Sequence, residues 1–204
     1  MKDVFGLIYT SDESDMRLRD LTRSRSIAAM PIGGRYRVID VLLSNLVHSG
    51  VSNVGLITQR NYHSLMDHLE SGKAWDLNRK RDGLFILPPY VTRSSTGSYS
   101  GLLDAIRSNL NYVRRASQRY ALISGSSTVF NMKFDDMMAQ HLATGADITI
   151  LYNVPADDES NGDADRTHLK MDESGRVVDI EVTPHLNTYP NVSMDVYIMD
   201  KALL

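Results

Sequence analysis

Short apolar runs alternate along the chain with longer segments in which apolar residues recur every three or four positions. The first run, Val4–Tyr9, ends in a polar cluster and predicts a strand that leads into a loop. Over residues 38–47 the apolar positions have helical spacing and stop before Gly50. This pattern predicts a helix with a glycine C-cap, and the apolar residues 51–58 predict a strand directly after it.

The same alternation continues through the rest of the chain. The predicted elements are a helix around 62–69, a strand over 84–87, a longer helix over about 102–119, a strand over 120–124, a helix over 134–144 and a strand over 146–152. A polar acidic segment, 157–165, predicts a mobile loop. Beyond it, 169–171 and 177–182 predict a hairpin at the sheet edge, joined by a turn over 172–175.

Strands that alternate with helices of ten or more residues indicate an α/β protein. Its sheet is expected to be mixed, mostly parallel and flanked by helices on both faces, in a Rossmann-like arrangement. Ligands of such sheets bind at the carboxyl ends of the strands, so the residues that follow each strand are the first candidates for a site.

Composition narrows the class of protein further. A chain of 204 residues with 42% hydrophobic and 23% charged residues is typical of one globular domain. The net charge of -3 argues against binding to nucleic acid or to an anionic membrane. There are no cysteines, no apolar run of membrane-spanning length and no leader-like start, so we expect a cytoplasmic protein. The six histidines lack the spacing of a zinc site.

A series of motifs carries a family resemblance. The segments PIGGRYRVID at 31–40 and LSN at 43–45 resemble the N-terminal signature of glucose-1-phosphate adenylyltransferases, also called ADP-glucose pyrophosphorylases. Further matches follow in order, at TQ 58–59, HSL 63–65, WDL 75–77, LPP 87–89, GADIT 145–149 and SM 193–194. In detail the sequence is most similar to the GlgD-type subunit of bacterial glycogen synthesis.

The resemblance implies a nucleotide-diphospho-sugar transferase fold. It also implies that 1–204 is a truncated N-terminal nucleotidyltransferase-like domain, and that the full-length protein adds a C-terminal left-handed β-helix that is absent from this sequence. The abrupt end at Leu204 agrees with truncation.

The phosphate-binding loop departs from the family. Active members carry Gly-Gly-x-Gly-Thr-Arg-Leu after the first strand, because bare backbone N–H groups must approach a triphosphate closely. When Arg17-Leu18 is set against that Arg-Leu, the three glycine positions hold Asp12, Glu13 and Asp15. A carboxylate roughly 5 Å from a phosphate charge costs about 3 kcal/mol at an effective dielectric of roughly 20. The acids are read either as a solvated loop or as ligands that hold Mg²⁺ for the phosphates.

Two further family positions have changed. The resemblance assigns a Mg²⁺-binding aspartate to the Ser-Gly-Asp that follows a strand, and here the triplet is Ser124-Gly125-Ser126. A neutral hydroxyl is a poor substitute for a carboxylate at a hard cation, although Ser126 can also be read as an ordinary loop residue. The lysine of the family's Arg-Ala-Lys-Pro is replaced by Ile27. The degenerate catalytic positions are therefore Asp12, Glu13, Asp15, Ile27 and Ser126.

Some ligand positions of the family persist. The resemblance assigns ligand binding to Arg17, Gln59, Tyr99, Gly101 and Asp104. Leu102 and Leu103 replace a Thr-Ala pair between them, and two leucines would crowd the base or turn the segment into packing. Asp104 can equally be an acid favoured by a helix N-terminus. A basic set of six residues is read as an anion site for a sugar-phosphate effector or as a solvated face: Arg35, Arg37, Lys73, Arg79, Lys80 and Arg81.

These changes lead to two main hypotheses, beside a third in which the protein is a free sugar-phosphate sensor with no partner. In the first, the protein is a non-catalytic or weakly active regulatory subunit that forms a hetero-oligomer with a catalytic glucose-1-phosphate adenylyltransferase subunit and needs no metal or cofactor of its own. In the second, it is an active adenylyltransferase that converts ATP and glucose 1-phosphate to ADP-glucose and pyrophosphate with Mg²⁺. Because transfer of such groups depends on positioning and electrostatic stabilisation, the loss of loop glycines, metal ligand and lysine favours the first.

Overall fold

The computed structural model describes residues 1–11, 18–89, 91–92, 95–96, 99–155, 166–182 and 189–204, with backbone alone at 91–92 and 95–96. The contacts of the chain form two compact units. The first contains Met1–Thr149 and Ile198–Leu204, and the second contains Ile150–Tyr197. That 1–204 is one nucleotidyltransferase-like domain stays a prediction.

Most strands and helices follow the alternation predicted from the sequence, whereas the ten-residue strand over 191–200 and four two-residue strands were not predicted. The strands are β1 (Val4–Tyr9), β2 (Pro31–Ile32), β3 (Tyr36–Arg37), β4 (Asn53–Ile57), β5 (Gly83–Leu87), β6 (Val91–Thr92), β7 (Ser95–Thr96), β8 (Tyr120–Gly125), β9 (Ile148–Asn153), β10 (Thr167–Met171), β11 (Val177–Val182) and β12 (Asn191–Asp200). The helices are α1 (Val38–His48), α2 (His63–Leu69), α3 (Leu102–Ser108), α4 (Leu110–Arg115) and α5 (Asp135–Thr144). No described helix is both long enough and apolar enough to cross a membrane.

The first unit contains a parallel sheet with the strand order β5, β4, β1, β8. Its two inner strands read as nearly continuous apolar runs because both of their faces are covered. Val4, Phe5, Leu7 and Ile8 of β1 are each at most 2% exposed. The pairs that β10 makes with β11 and β12 are antiparallel, so the strands as a whole form the mixed, mostly parallel α/β sheet flanked by helices that the sequence predicts.

Helix α1 is the best predicted element of the first unit. At its N-terminus the backbone N–H of Arg37 donates to the Asp40 carboxylate at 3.0 Å, which satisfies one donor outside the helix ladder. Its apolar face, including Ile39 and Leu43, is fully buried. At its C-terminal end Gly50 adopts φ +77° and its N–H donates to Val47 O at 2.9 Å. The predicted glycine C-cap is confirmed.

The single helix predicted over 102–119 is wrong. The segment forms two short helices, α3 and α4, which meet at Asn109. The Asn109 side chain donates to the carbonyl of Ala105 at 2.9 Å, and Asn109 itself has φ -110° and ψ 20°. An asparagine side chain competes in this way with backbone donors, which is why it interrupts a helix that apolar spacing alone predicts.

The second unit contains the predicted hairpin. Strands β10 and β11 are antiparallel, β10 also pairs with β12, and β11 lies at the sheet edge as expected. Asp172 organises the turn, since its Oδ1 accepts from the backbone of Ser174 at 2.9 Å and of Arg176 at 3.0 Å. The mobile loop predicted over 157–165 lies outside the described residues.

Candidate functional site

The carboxyl ends of β1, β4 and β8 meet at one edge of the parallel sheet. The backbone N–H of Ser126, which follows β8, donates to Tyr9 O at 3.1 Å. The N–H of Thr10 donates to Ile57 O at 3.1 Å, and the N–H of Gln59 donates to the Thr10 hydroxyl at 3.2 Å. Residues from three strand ends are therefore joined at the edge where open α/β sheets bind ligands.

Gln59 and Tyr99 are brought into contact, but the Gln59 carboxamide is already bonded at both ends. Its Nε2 donates to the Tyr9 hydroxyl at 2.5 Å, and its Oε1 accepts from the backbone of Tyr99 at 3.4 Å. Gln59 is 4% exposed and Tyr99 is 8% exposed. A buried carboxamide with these partners fixes the two segments to each other, and a ligand would have to displace those bonds to use it.

Asp104 acts at the start of α3. Its Oδ2 accepts from the backbone N–H of Ser100 at 3.0 Å and from the Ser100 hydroxyl at 3.3 Å. This geometry supports the reading of Asp104 as a helix N-terminal acid. Gly101 has an extended backbone, and a Cβ added there would meet no atom within 4 Å. Leu103 is 78% exposed, so it does not turn the segment into packing.

Ser126 and Ile27 occupy different surroundings. Ser126 is 5% exposed beside the end of β1. Ile27 is half-buried in a short turn, Ile27–Ala29, whose contacts run to α1 and α2. The other four residues of interest, Asp12, Glu13, Asp15 and Arg17, lie outside the described residues. Within the described part of the chain, no three histidine, aspartate or glutamate side chains gather as metal ligands.

Tyr9 and Thr10 are two residues of this edge that the apolar pattern of the sequence does not indicate. Both stand where β1 ends, and their hydroxyl groups hold the loop that follows β4. The available signal was the change from apolar to hydroxyl-bearing residues at the carboxyl end of a buried strand. A strand pattern shows that such residues share an edge, but it cannot show which neighbouring side chain each one binds.

Of the six basic residues, three have contacts within the protein, and one of these is Arg35, whose guanidinium carbon lies 5.4 Å from the centroid of the Tyr36 ring. Arg37 Nη1 donates to the carbonyl oxygen of Ser64 at 2.5 Å and to its hydroxyl at 2.7 Å. Arg79 is paired with Asp76, three residues earlier in the chain. These arginines have structural partners, so the anion site for a sugar-phosphate effector stays a prediction.

Comparison with known proteins decides the family. Residues 14–204 match the nucleotidyl transferase family. The chain belongs to this family. It is 39% identical over 206 residues to the glucose-1-phosphate adenylyltransferase of Thermomicrobium roseum, a match that covers 100% of this chain and 47% of that protein.

Proteins named glycogen biosynthesis protein GlgD are also similar to this nucleotidyl transferase chain. The Geobacillus stearothermophilus protein is 45% identical over 132 residues, covering 65% of this chain and 38% of that protein. The Bacillus subtilis protein is 43% identical over 138 residues, covering 66% of this chain and 39% of that protein. The chain therefore spans less than half the length of these curated relatives, and the resemblance read from its motifs is confirmed.

In this member of the family, the position that the resemblance assigns to a metal-binding aspartate holds Ser126. Ser126 directly follows β8, and its backbone N–H donates to Tyr9 O at the end of the neighbouring strand β1. The hydroxyl present there carries no charge, so the described part of the site lacks the anionic group that this position would supply to Mg²⁺.

Proposed function

We propose that this protein is a non-catalytic or weakly active regulatory subunit of glucose-1-phosphate adenylyltransferase, with a role in glycogen biosynthesis through ADP-glucose synthesis. It would act by forming a hetero-oligomer with a catalytic subunit. The observation that carries the proposal is Ser126, held at the carboxyl end of β8 in the place of an expected metal-binding aspartate.

The charge pattern of the site supports the same conclusion. Ile27 removes the cation that the family's lysine would bring to a phosphate, and the acids at 12, 13 and 15 add negative charge where bare backbone N–H groups are needed. At an effective dielectric of roughly 20, three such acids reduce affinity for a polyphosphate on the order of a hundredfold or more. Gln59, a further ligand position, is bonded at both ends of its carboxamide.

The rival function is an active, Mg²⁺-dependent adenylyltransferase. One observation favours it: the match to the Thermomicrobium roseum adenylyltransferase extends over the entire chain, whereas each GlgD match covers about two thirds of it. Such an enzyme would bind ATP with Mg²⁺ at the edge formed by β1, β4 and β8, using groups other than the family's lysine and aspartate.

Calorimetric titration of the full-length protein with ATP and Mg²⁺ separates the two functions. We expect a dissociation constant above about 1 mM, corresponding to a binding free energy weaker than about 4 kcal/mol. A variant that carries Asp12→Gly, Glu13→Gly, Asp15→Gly, Ile27→Lys and Ser126→Asp should bind on the order of a hundredfold more tightly. The matched control keeps Ser126 and carries the other four changes, and it should lose the Mg²⁺ dependence of that gain. Micromolar binding of ATP by the unaltered protein contradicts the proposal.

A second experiment tests the partner. We expect the full-length protein to co-purify with a catalytic adenylyltransferase subunit of the same cell and to change that subunit's rate of ADP-glucose formation or its response to sugar phosphates. The control is the same assay with each subunit alone. ADP-glucose formation by this protein alone, at a rate comparable with that of the catalytic subunit, would establish the rival function.

A further inference from the structure

A cleft of about 440 Å³ opens in the first unit beside β5, away from the residues joined around Tyr9. It lies between the edge strand β5 and the helix α4, and this volume is in the range of small-molecule sites. The lining residues that define its chemistry are Asn53, Asp82, Phe85, Asn109, Tyr112 and Arg115. None of them is among the candidate site residues named above, although Asn109 Nδ2 donates to the Tyr99 hydroxyl at 3.3 Å.

Two aromatic rings form the wall of the cleft. The centroids of Phe85 and Tyr112 are 5.6 Å apart at an interplanar angle of 54°, and Phe85 remains 42% exposed. Tyr112 can lie this close to the sheet because β4 has a glycine beneath it: a Cβ at Gly55 would be 2.5 Å from the Tyr112 ring. The faces of such rings carry partial negative charge and attract cations.

A directed chain of hydrogen bonds ends at a carboxylate in the cleft. The Tyr112 hydroxyl donates to Asn53 Oδ1 at 2.8 Å, Asn53 Nδ2 donates to Gln118 Oε1 at 2.9 Å, and Gln118 Nε2 donates to Asp82 Oδ1 at 3.2 Å. Every donor in the chain points toward Asp82. Such a network polarises in one direction, toward the Asp82 carboxylate.

The backbone places Asp82 in the cleft. Asp82 adopts φ +62° and Gly83 adopts φ +100°, and a Cβ at Gly83 would come within 2.5 Å of Leu77 O. Asp82 is half-buried, and it forms no ion pair with any residue that the structure describes. Burial raises the pKa of the Tyr112 hydroxyl, and the negative charge of Asp82 raises it further.

We infer that this cleft binds a small organic ammonium ion, with the charged nitrogen at Asp82 and its apolar stem against Phe85 and Tyr112. Carboxylate and ring faces both favour positive charge, and together they distinguish an ammonium group from a neutral ligand of the same shape. Arg115 is exposed at the rim, where water screens its repulsion. This inference does not depend on the proposed function.

Nuclear magnetic resonance titration with two small probes tests the inference. n-Butylammonium and n-butanol have nearly the same shape and differ in charge, and both are followed at the Phe85 and Tyr112 ring resonances. We expect n-butylammonium to bind at least about tenfold more tightly than n-butanol, the size of one hydrogen bond to a charged group. Asp82→Asn should abolish this preference, because asparagine keeps the acceptor for Gln118 and tolerates the positive φ while it removes the charge.

Two further variants sharpen the test. Asp136→Asn makes the same change in net charge on the exposed surface of α5, and it should leave the preference for the cation unchanged. Arg115→Gln should strengthen n-butylammonium binding because it removes the repelling charge at the rim. Equal binding of the two probes, an unchanged preference in Asp82→Asn, or no shift of either ring with n-butylammonium would each overturn the inference.

Discussion

At the scale of single residues, two glycines of the parallel sheet differ in the space that is available for a side chain. Gly55 in β4 lies under the Tyr112 ring, where an added Cβ would meet ring carbons at 2.5 and 2.8 Å. Gly6 in β1 pairs with Val54, the residue before Gly55 in β4. A Cβ added at Gly6 would lie 3.4 Å from the Leu46 side chain, which is an ordinary contact distance. Gly55 therefore sets the position of α4 over the sheet, and Gly6 leaves room for a methyl group.

Gly55→Ala should lower the free energy of unfolding by about 1 to 3 kcal/mol, because the tyrosine ring and its bond to Asn53 must shift to admit the methyl group. Urea denaturation followed by circular dichroism measures the difference. Gly6→Ala is the matched control and should change stability by no more than about 0.5 kcal/mol. Equal destabilisation by both variants would show that the close approach of Tyr112 is not the cause.

At the scale of elements, α1 and α2 are held together by polar contacts between their sides. The His68 ring contacts the Asp40 carboxylate at 2.6 Å. Arg37, at the start of α1, reaches Ser64 of α2. Asp40 also accepts from the backbone of Arg37, so one carboxylate both begins α1 and joins it to the neighbouring helix.

Asp40→Ala should cost about 1 to 3 kcal/mol of stability, since it removes the helix-starting bond and leaves His68 without that partner. Thermal and urea unfolding both measure the loss. Asp67→Ala changes an exposed acid on α2 and serves as the control, with an expected change within about 0.5 kcal/mol. A small effect of Asp40→Ala would mean that water replaces these contacts without loss.

At the scale of the whole molecule, stability depends on pH through a buried histidine. His141 of α5 is 4% exposed, its Nδ1 lies 2.8 Å from the Thr149 hydroxyl, and burial lowers its pKa despite the nearby charge of Asp200. The unfolded chain therefore binds this proton more readily than the folded protein. The contribution of His141 is fully present above its ordinary pKa of about 6.5 and is lost as the pH falls below it.

We expect the free energy of unfolding to decrease as the pH falls below about 6.5, and this decrease should be smaller in His141→Gln. The carboxylates with lowered pKa, Asp172, Asp179 and Asp200, contribute in a separate window, because their stabilisation is lost only below about pH 4. Urea unfolding at several pH values distinguishes the two windows. An identical decrease in His141→Gln would assign the effect to other groups.

The family, the α/β class and most of the elements can be predicted from the order of residues alone. The apolar pattern predicts β1 and α1 correctly, because an element that is buried on one or both faces has apolar residues at regular positions in its sequence. The substitutions at Ile27 and Ser126 are also visible in the sequence, because they are recognised by aligning it with the motifs of the family. The ligand-binding roles of Arg17, Gln59, Tyr99, Gly101 and Asp104 stay predictions.

Which side chains contact each other could not be predicted in this way, because it depends on how the elements pack. Gln59 bonds to Tyr9 and Tyr99, and the chain of donors ends at Asp82; both sets of hydrogen bonds join residues that are far apart in sequence. The helix break at Asn109 is local, but its side-chain bond competes with the helical pattern of the apolar residues. The periodicity of apolar residues indicates which positions are buried, but it does not indicate which other side chain each residue contacts. Hydrogen bonds and close approaches depend on the register and spacing of packed elements, which are set when the chain folds.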